Sequence, residues 1–338
     1  MRAVGFNAPQ PITSDTALLD IDLPMPEPGP RDLLVEIKAI SVNPVDTKVR
    51  KSAPVEPGQY RILGYDAAGT VTAVGKDVKL FKPGDEVFYA GAINRPGTNA
   101  EYHLVDERIV GFKPKSLSFE EAAALPLTSI TAYETLFHRM KVQDRVTGTW
   151  NAVLIIGAAG GVGSIAVQLL RTLSDVTVIG TGSRPETKDW IAKLGAHHVL
   201  DHSKPLAPQF AQMAIGAPSF VFSITETSQH IEDILELIAP QGRLGLIDDP
   251  KDPVDLRLFK RKALSIHWET MFARPVFQTA DMIEQHKLLN QVAELVDAGK
   301  VRTTLAETLG TINATNLRRA HAMIESGTTR GKLVLSGF

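Results

Sequence analysis

The stretch that decides the fold reads Val153-Leu-Ile-Ile-Gly157-Ala-Ala-Gly160-Gly161-Val-Gly163-Ser-Ile-Ala-Val-Gln-Leu-Leu170. Its apolar start predicts a buried strand, its glycines a tight turn, and its end an amphipathic helix. Such a turn binds the pyrophosphate of a dinucleotide, because small residues let the backbone approach the phosphates and the helix N-terminus offers free N–H groups. The predicted cofactor-binding turn is Gly157, Ala158, Ala159, Gly160, Gly161, Val162 and Gly163. Ala158 replaces the first glycine of the usual pattern, and a tight turn without a ligand is the alternative.

The residues that select NAD or NADP are expected about 20 residues beyond this turn, where NAD enzymes place Asp or Glu on the ribose 2′-hydroxyl. This chain has Ser183, Arg184 and Lys188 there. A hydroxyl, a guanidinium and an ammonium suit a 2′-phosphate, because Arg binds its oxygens in a fork and Lys adds charge. We therefore predict NADP(H). The alternative is a solvated helix start, with Glu186 as the acidic neighbour.

Strand and helix patterns alternate from about residue 151, which predicts a parallel sheet with helices on both faces. Six strands are expected, enough for one doubly wound Rossmann sheet: 152–156, 176–180, 198–201, 220–223, 243–247 and 264–268. Helices are expected at 186–194, before Gly195, and at 228–239, before Pro240.

The first 120 residues or so have a different pattern, with short β segments separated by Pro and Gly turns, which favours a small barrel or sandwich. Ser118 and Glu121 form a capping box before a helix expected from Ala122. Two helices are expected after about residue 275, followed by a strand at 331–338 that needs a sheet to join. We predict one domain from 1–122 plus 275–338 and a dinucleotide-binding domain over 123–274.

Composition excludes several classes of protein. The chain has 338 residues, 36 Lys plus Arg, 38 Asp plus Glu and a net charge of −2, which argues against nucleic-acid binding. Without cysteine it has no disulfide, no Cys-ligated metal and no thiol nucleophile. His197, His198 and His202 cluster along one β segment, so we predict no metal site there. We expect a cytoplasmic protein, because the start lacks a signal-peptide pattern and no apolar run approaches the ~20 residues of a membrane span.

Five motifs occur in an order that resembles the medium-chain dehydrogenase/reductase superfamily, specifically its zinc-independent quinone oxidoreductase branch. Besides the glycine-rich turn they are Ser41-Val-Asn43-Pro44-Val-Asp46, Leu63-Gly-Tyr65-Asp66-Ala-Ala-Gly69-Thr-Val, Lys82-Pro-Gly-Asp-Glu-Val and Ala123-Ala-Leu-Pro126-Leu-Thr128-Ser-Ile-Thr-Ala. The resemblance covers essentially the whole chain. It implies a GroES-like barrel, built from the N-terminal part and the C-terminal tail, with the Rossmann domain inserted between them.

Zinc-dependent members of this superfamily bind a catalytic zinc through a Cys, a His-Glu pair and a second Cys. The matching positions here hold Asn43, Tyr65 with Asp66, and Leu127, so the usual ligands are missing. Without a Lewis acid, oxidation of simple alcohols loses its activator. The resemblance therefore implies hydride transfer from NADPH to a quinone or an electron-poor enone.

The resemblance also suggests roles for individual residues. Asn43 would hydrogen-bond the acceptor oxygen or the nicotinamide ribose, Thr128 would lie against the nicotinamide, and Tyr65 or water would donate a proton. Lys332 would approach the cofactor phosphates. Alternatively, Asn43 is a turn residue, Tyr65 is a core or loop aromatic, and Lys332 merely flanks a strand. Asp46 and Asp66 are expected to support loops through backbone hydrogen bonds.

Two other functions stay open at this point: a zinc-free alcohol or aldehyde oxidoreductase, and a non-catalytic NADPH-binding protein. The expected partner is a small-molecule substrate, with neither nucleic acid nor membrane. A homodimer or homotetramer is expected, because the strand at 264–268 would otherwise be an open sheet edge.

Overall fold

The computed structural model describes residues 1–213 and 215–338 and divides the chain into two compact units. The first unit comprises Met1–Ile130 and Phe272–Phe338, and the second comprises Thr131–Met271. Two separate stretches of chain therefore build the first unit, while the second is continuous. The sequence analysis predicts breaks after residues 122 and 274, whereas these units divide after residues 130 and 271.

The first unit begins with eight strands and two helices. The strands are β1 Arg2–Phe6, β2 Leu19–Asp22, β3 Asp32–Val42, β4 Arg61–Ile62, β5 Ala67–Val74, β6 Glu86–Tyr89, β7 Tyr102–Asp106 and β8 Val110–Phe112, and the helices are α1 Pro44–Ser52 and α2 Phe119–Ala123. The capping box of Ser118 and Glu121 is confirmed, but α2 begins at Phe119 and not at the predicted Ala122. The reason is that the residue directly after an N-cap is already helical.

The second unit contains the alternating pattern. Helix α3 Pro126–Tyr133 leads into it and continues as a π-helical segment, Glu134–Arg139. There follow β9 Trp150–Ile156, α4 Gly161–Leu173, β10 Thr177–Thr181, α5 Pro185–Lys193, β11 His198–Leu200, α6 Leu206–Gln212, β12 Pro218–Ser223, α7 Thr227–Leu237, β13 Arg243–Leu246, α8 Arg257–Lys260 and β14 Ser265–Trp268. The six predicted strands are all present, each within two residues of its predicted bounds.

These six strands form one parallel sheet in the order β11-β10-β9-β12-β13-β14. This is the Rossmann order, so the predicted doubly wound α/β fold is confirmed. The strand β9 is central and its residues from Ala152 to Ile156 are fully buried, as expected for a strand covered on both faces.

The chain then returns to the first unit with α9 Ala273–Phe277, α10 Glu284–Asp297, β15 Leu305–Thr308, α11 Ala314–Glu325 and β16 Lys332–Ser336. The predicted terminal strand finds its partner in β3, with which β16 pairs antiparallel over residues 333–336. It also pairs with β15, a strand that the sequence prediction missed. Both belong to a seven-stranded sheet, β15-β16-β3-β5-β6-β8 with β7 on β3; a second sheet has the order β2-β1-β4.

The long strand β3 positions the site of the first unit. Its eleven residues are rich in apolar side chains, and Val35, Ala39 and Ile40 are fully buried. It ends at Val42, Asn43 is the N-cap, and Pro44 starts α1 at the position where a missing N–H costs nothing. Within residues 1–213 and 215–338 no helix is both long and apolar enough to cross a membrane.

Candidate active site

The glycine-rich turn of the second unit joins β9 to α4. Gly157 has φ +84°, a backbone conformation that glycine adopts without strain. Its N–H donates to Thr181 Oγ1 at 3.1 Å, and the N–H of Ala158 donates to Thr181 O at 3.3 Å. The last residue of β10 therefore fixes the first two residues of the turn.

The turn leaves space for an anion at the start of α4. Gly160 is the N-cap and provides no side-chain cap. A Cβ atom built on Gly160 would meet only Gly157 O, at 3.6 Å, so the side of the turn above Gly160 is open. At Gly163, by contrast, a Cβ would lie 2.5 Å from both Ala158 Cα and Gly157 O. The helix therefore packs directly on the turn, and its uncapped N–H groups fit a pyrophosphate. The other predicted turn residues, Ala159, Gly161 and Val162, are half-buried there.

The predicted 2′-phosphate residues lie just beyond β10. Ser183 and Arg184 connect β10 to α5, and Lys188 lies on the first turns of α5. In this structure Arg184 Nε contacts Glu186 Oε1 at 3.2 Å, and Lys188 Nζ contacts Asp201 Oδ2 at 2.9 Å. Both cations are partly exposed, so a phosphate can replace these surface ion pairs at small cost.

In the first unit a buried polar cluster forms where β3 ends and β5 begins. Asn43, Asp66 and Lys332 are each at most 3% exposed. Asn43 Nδ2 donates to Asp66 Oδ2 at 2.7 Å and to Ser41 O at 3.5 Å, and Asn43 Oδ1 accepts from Lys332 Nζ. Both ends of the Asn43 amide are therefore used inside the first unit. This observation favours a positioning role over direct hydrogen bonding to the acceptor.

Asp66 connects four parts of the first unit. Its Oδ2 atom accepts from Ser41 Oγ at 2.9 Å and lies 3.1 Å from Lys332 Nζ, while its Oδ1 atom accepts from the N–H of Leu127 at 2.7 Å. Leu127 is the second residue of α3, so a distant carboxylate satisfies an N–H at the helix start. Asp66 thus accepts a backbone hydrogen bond, as expected, but the bond holds the start of a helix and not a loop.

Lys332 is the counter-charge of the cluster. Its ammonium donates to Val42 O at 2.9 Å and to Asn43 Oδ1, and pairs with Asp66. These contacts use all three ammonium donors. The geometry thus favours a role within the cluster over the predicted approach to the cofactor phosphates.

A second buried carboxylate lies next to this cluster. Asp46 Oδ2 accepts from the N–H of Asn43 at 2.8 Å, and Oδ1 accepts from the N–H of Gly64 at 2.9 Å. Burial raises the pKa of Asp46 to about 7, although these bonds and the Lys332 charge oppose the shift. Burial likewise raises the pKa of Asp66 and lowers that of Lys332, and each of these two charges opposes the shift of the other.

Tyr65 is a core residue in this structure. It is 1% exposed, its ring packs edge-on against Phe272 with centroids 5.2 Å apart, and its hydroxyl is bonded to the Arg61 side chain. Burial and, secondly, the Asp46 charge raise its pKa to about 12. Such a phenol is a poor proton donor near neutral pH.

Thr128 is also buried, at 2% exposure, and its hydroxyl donates to Leu125 O at 3.1 Å. Its oxygen keeps lone pairs that can accept a bond. Neighbouring Leu127 is held by Asp66, so the start of α3 is anchored to the same cluster as Asn43.

Sequence reasoning missed the contacts that join these residues. Ser41 and the Asn43–Lys332 pair were not predicted, because residues 43 and 332 are 289 positions apart. The sequence did contain an indication that Lys332 lies near this cluster, because it begins a terminal strand that was expected to join the first domain.

The two family descriptions that match are "Alcohol dehydrogenase GroES-like domain" over residues 29–128 and "Zinc-binding dehydrogenase" over residues 194–335. A zinc-type alcohol dehydrogenase-like protein of Staphylococcus aureus is 40% identical over 337 residues, covering 99% of this chain and 100% of that protein. The chain belongs to the medium-chain dehydrogenase/reductase superfamily. Its members are oxidoreductases with the GroES-like and Rossmann domains described above.

Two solved structures extend the comparison. A putative zinc-dependent alcohol dehydrogenase protein from Rhizobium etli is 63% identical, with a TM-score of 0.98, and the match covers 100% of this chain and 98% of that one. The quinone oxidoreductase from Coxiella burnetii is 25% identical, with a TM-score of 0.80, over 100% of this chain and 99% of that one. The names of these relatives therefore include both zinc enzymes and a quinone reductase.

The residues of this chain do not fit a catalytic zinc ion. By the family resemblance, Asn43, Tyr65 with Asp66, and Leu127 match the zinc-ligand positions. In the structure the Lys332 ammonium contacts both Asn43 and Asp66. A divalent cation at these atoms would be placed against an ammonium. Among the residues that the structure describes, no three His, Asp or Glu side chains are grouped to hold a metal.

Proposed function

We propose that this protein is a zinc-independent, NADPH-dependent reductase of quinones or activated enones. The observation that carries the proposal is the Lys332 ammonium, which contacts both Asn43 and Asp66 and so places a positive charge where these two side chains would otherwise face a cation. The similarity to a quinone oxidoreductase along the whole chain supports the same acceptor class.

The proposed acceptor class follows from the residues at the positions that match the zinc ligands. Oxidation of an unactivated alcohol needs its proton removed, which a metal assists by lowering the pKa of the bound oxygen. A quinone or enone already accepts a hydride at an electron-poor carbon. NADPH, when bound, supplies the hydride and leaves as NADP⁺, and one proton completes the hydroquinone or saturated ketone.

The chain's own residues bind and orient the reactants. The turn from Gly157 to Gly163 receives the pyrophosphate at the α4 N-terminus, and Ser183, Arg184 and Lys188 receive the 2′-phosphate. Asn43, Asp66 and Lys332 fix the end of β3 and the start of α3. We assign the proton to solvent, because the Tyr65 hydroxyl is buried and has a raised pKa.

The experiment is the loss of NADPH absorbance by EDTA-treated protein with a benzoquinone, a fused-ring ortho-quinone, an enone and an aldehyde. Quinone- or enone-dependent loss that survives EDTA is the expected result. Activity only with an aldehyde, or with a secondary alcohol and NADP⁺, would favour a zinc-free alcohol/aldehyde oxidoreductase. NADPH binding without any turnover would favour a non-catalytic protein, and restoration by zinc would contradict the proposal.

The choice of NADP(H) has its own test. Arg184→Gln with Lys188→Gln removes two charges that would contact the 2′-phosphate, so the NADPH Kd should rise about 10- to 100-fold while the NADH Kd stays within twofold. Lys193→Gln is the matched control, because this lysine lies on the same helix and forms an exposed ion pair with Asp189. Equal affinities of the wild type for NADH and NADPH would contradict the assignment.

We also propose a homodimer or homotetramer in solution. The parallel sheet ends on β14, and an unpaired edge strand is a site for pairing with a second copy. Trp268 at the end of β14 is 55% exposed, which supports contact at this edge. Light scattering during size-exclusion chromatography measures the mass, and a monomer at micromolar concentration would contradict the proposal.

A further inference from the structure

Two histidines face each other at the carboxyl edge of the second unit's sheet. His202 lies two residues beyond β11, His230 lies on α7, and their ring centroids are 6.1 Å apart. Both rings are half-buried. Dinucleotides bind at this edge of a Rossmann sheet.

His202 is bonded to the residue that fixes the glycine-rich turn. His202 Nδ1 lies 3.0 Å from Thr181 Oγ1, and the same oxygen accepts the Gly157 N–H. The imidazole therefore lies beside the end of β10, directly before the predicted 2′-phosphate residues Ser183 and Arg184.

The surroundings of both rings are charged. Four charged or titratable groups act on the pKa of His202. They are Arg184 and Lys188 at the start of α5, Asp201 on its own segment and His230 on α7. His230 faces Glu226 and Asp233. Burial and the neighbouring cations lower the pKa of His202, and burial lowers that of His230. Both rings are therefore mainly neutral at pH 7 before any anion binds.

We propose that His202 and His230 complete, with Arg184 and Lys188, a titratable anion site for the 2′-phosphate of NADP(H), so that binding of this cofactor takes up protons. The proposal rests on the proposed cofactor. A phosphate dianion next to an imidazole favours the protonated ring. The affinity for NADP(H) therefore rises as the pH falls. The affinity for NAD(H), which lacks the 2′-phosphate, does not change in this way.

Calorimetric titrations of NADP⁺ and NAD⁺ between about pH 8 and pH 6 test this, each in two buffers of different ionisation enthalpy. The NADP⁺ to NAD⁺ affinity ratio should rise about three- to tenfold, since a rise of one unit in the pKa of one histidine contributes at most tenfold. The buffer dependence should show net proton uptake for NADP⁺ alone.

Two variants test whether the two histidines, and not other groups, take up the protons. His230→Gln leaves the Thr181 contact intact, and His202→Asn keeps a hydrogen-bonding group near the position of Nδ1. The double variant should lose most of the proton uptake and retain only the titration of the phosphate, whose own second pKa is about 6. His198→Gln, at the start of β11 four residues before His202, is the matched control and should behave as the wild type.

The outcomes distinguish this inference from the cofactor assignment. A preference for NADP⁺ that does not change with pH, or proton uptake that survives in the double variant, would overturn the histidine site and leave NADP(H) standing. Equal affinity for both cofactors at every pH would overturn the cofactor assignment and the histidine site with it.

Discussion

Replacement of Lys332 by methionine tests whether its ammonium is the counter-charge of the buried cluster. Methionine keeps the apolar stem but removes the contacts to Val42 O, Asn43 Oδ1 and Asp66. Asp66 is then fully buried without its cation. Breaking a buried pair from one side costs about 3–5 kcal/mol, which corresponds to a melting temperature lower by roughly 6–20 °C for a domain of this size.

The stability lost in Lys332→Met should depend on pH in a direction set by Asp66. Burial already raises the pKa of Asp66, and loss of Lys332 removes the charge that opposes this shift. When the pKa of a carboxyl group is raised in the folded state, the protein loses stability as the pH rises from the group's ordinary pKa to its raised pKa. Lys332→Met should therefore be more harmful near pH 8 than near pH 5, where Asp66 can take up a proton.

The assay is urea unfolding of Lys332→Met and of the double variant Lys332→Met/Asp66→Asn, which removes the unpaired charge and should recover part of the loss. Lys287→Met is the control: this lysine is exposed and forms a surface ion pair with Glu284, so its loss should change the free energy of unfolding by less than about 0.5 kcal/mol. A loss below about 1 kcal/mol for Lys332→Met, or the same loss at both pH values, would refute the reasoning.

Three further changes test other parts of the molecule. Burial and the neighbouring Glu134 raise the pKa of Glu269 to about 8, so the wild type should lose stability from pH 6 to pH 8.5 and Glu269→Gln should make that slope clearly shallower in urea unfolding. Gly163→Ala would place a Cβ 2.5 Å from Ala158 Cα, so the NADPH Kd measured by fluorescence should rise at least tenfold; unchanged binding would show that the turn tolerates the methyl group. Tyr65→Phe should keep kcat within about twofold in the quinone assay, because the hydroxyl is buried and a poor acid; a hundredfold loss would make Tyr65 the proton donor.

The second unit was predictable because its signals are local. Each strand of the parallel sheet is a short apolar run, and Gly195 ends α5 with φ +105°, as the sequence pattern indicates. The strand β15 was missed because it has four residues, three of them exposed, and carries no alternating pattern. Helix α1 was not predicted: Asn43 was assigned to ligand binding, with a turn residue as the alternative, and its role as a helix N-cap was not considered.

The candidate site was only partly predictable. Asn43, Tyr65 and Thr128 were predicted as site residues from their local motifs, but their burial and bonding depend on residues far away in the sequence. No local pattern indicates that the Asn43 amide is fully used, since its partner Lys332 belongs to the last strand. Tertiary contacts of this kind decide whether a polar side chain reaches a ligand or supports the backbone.

The position of Lys332 in the chain has a consequence for biosynthesis. The ribosome completes the whole second unit, Thr131–Met271, as one continuous piece that can fold while translation goes on. Asp66 is made early, but the ammonium that neutralises it is synthesised some 260 residues later and must close a very long loop. Until β16 emerges, the sheet of the first unit lacks the strand that pairs with β3, and Asp66 lacks the ammonium that allows its burial. We therefore expect chaperone dependence and slow maturation in the first unit and not in the second.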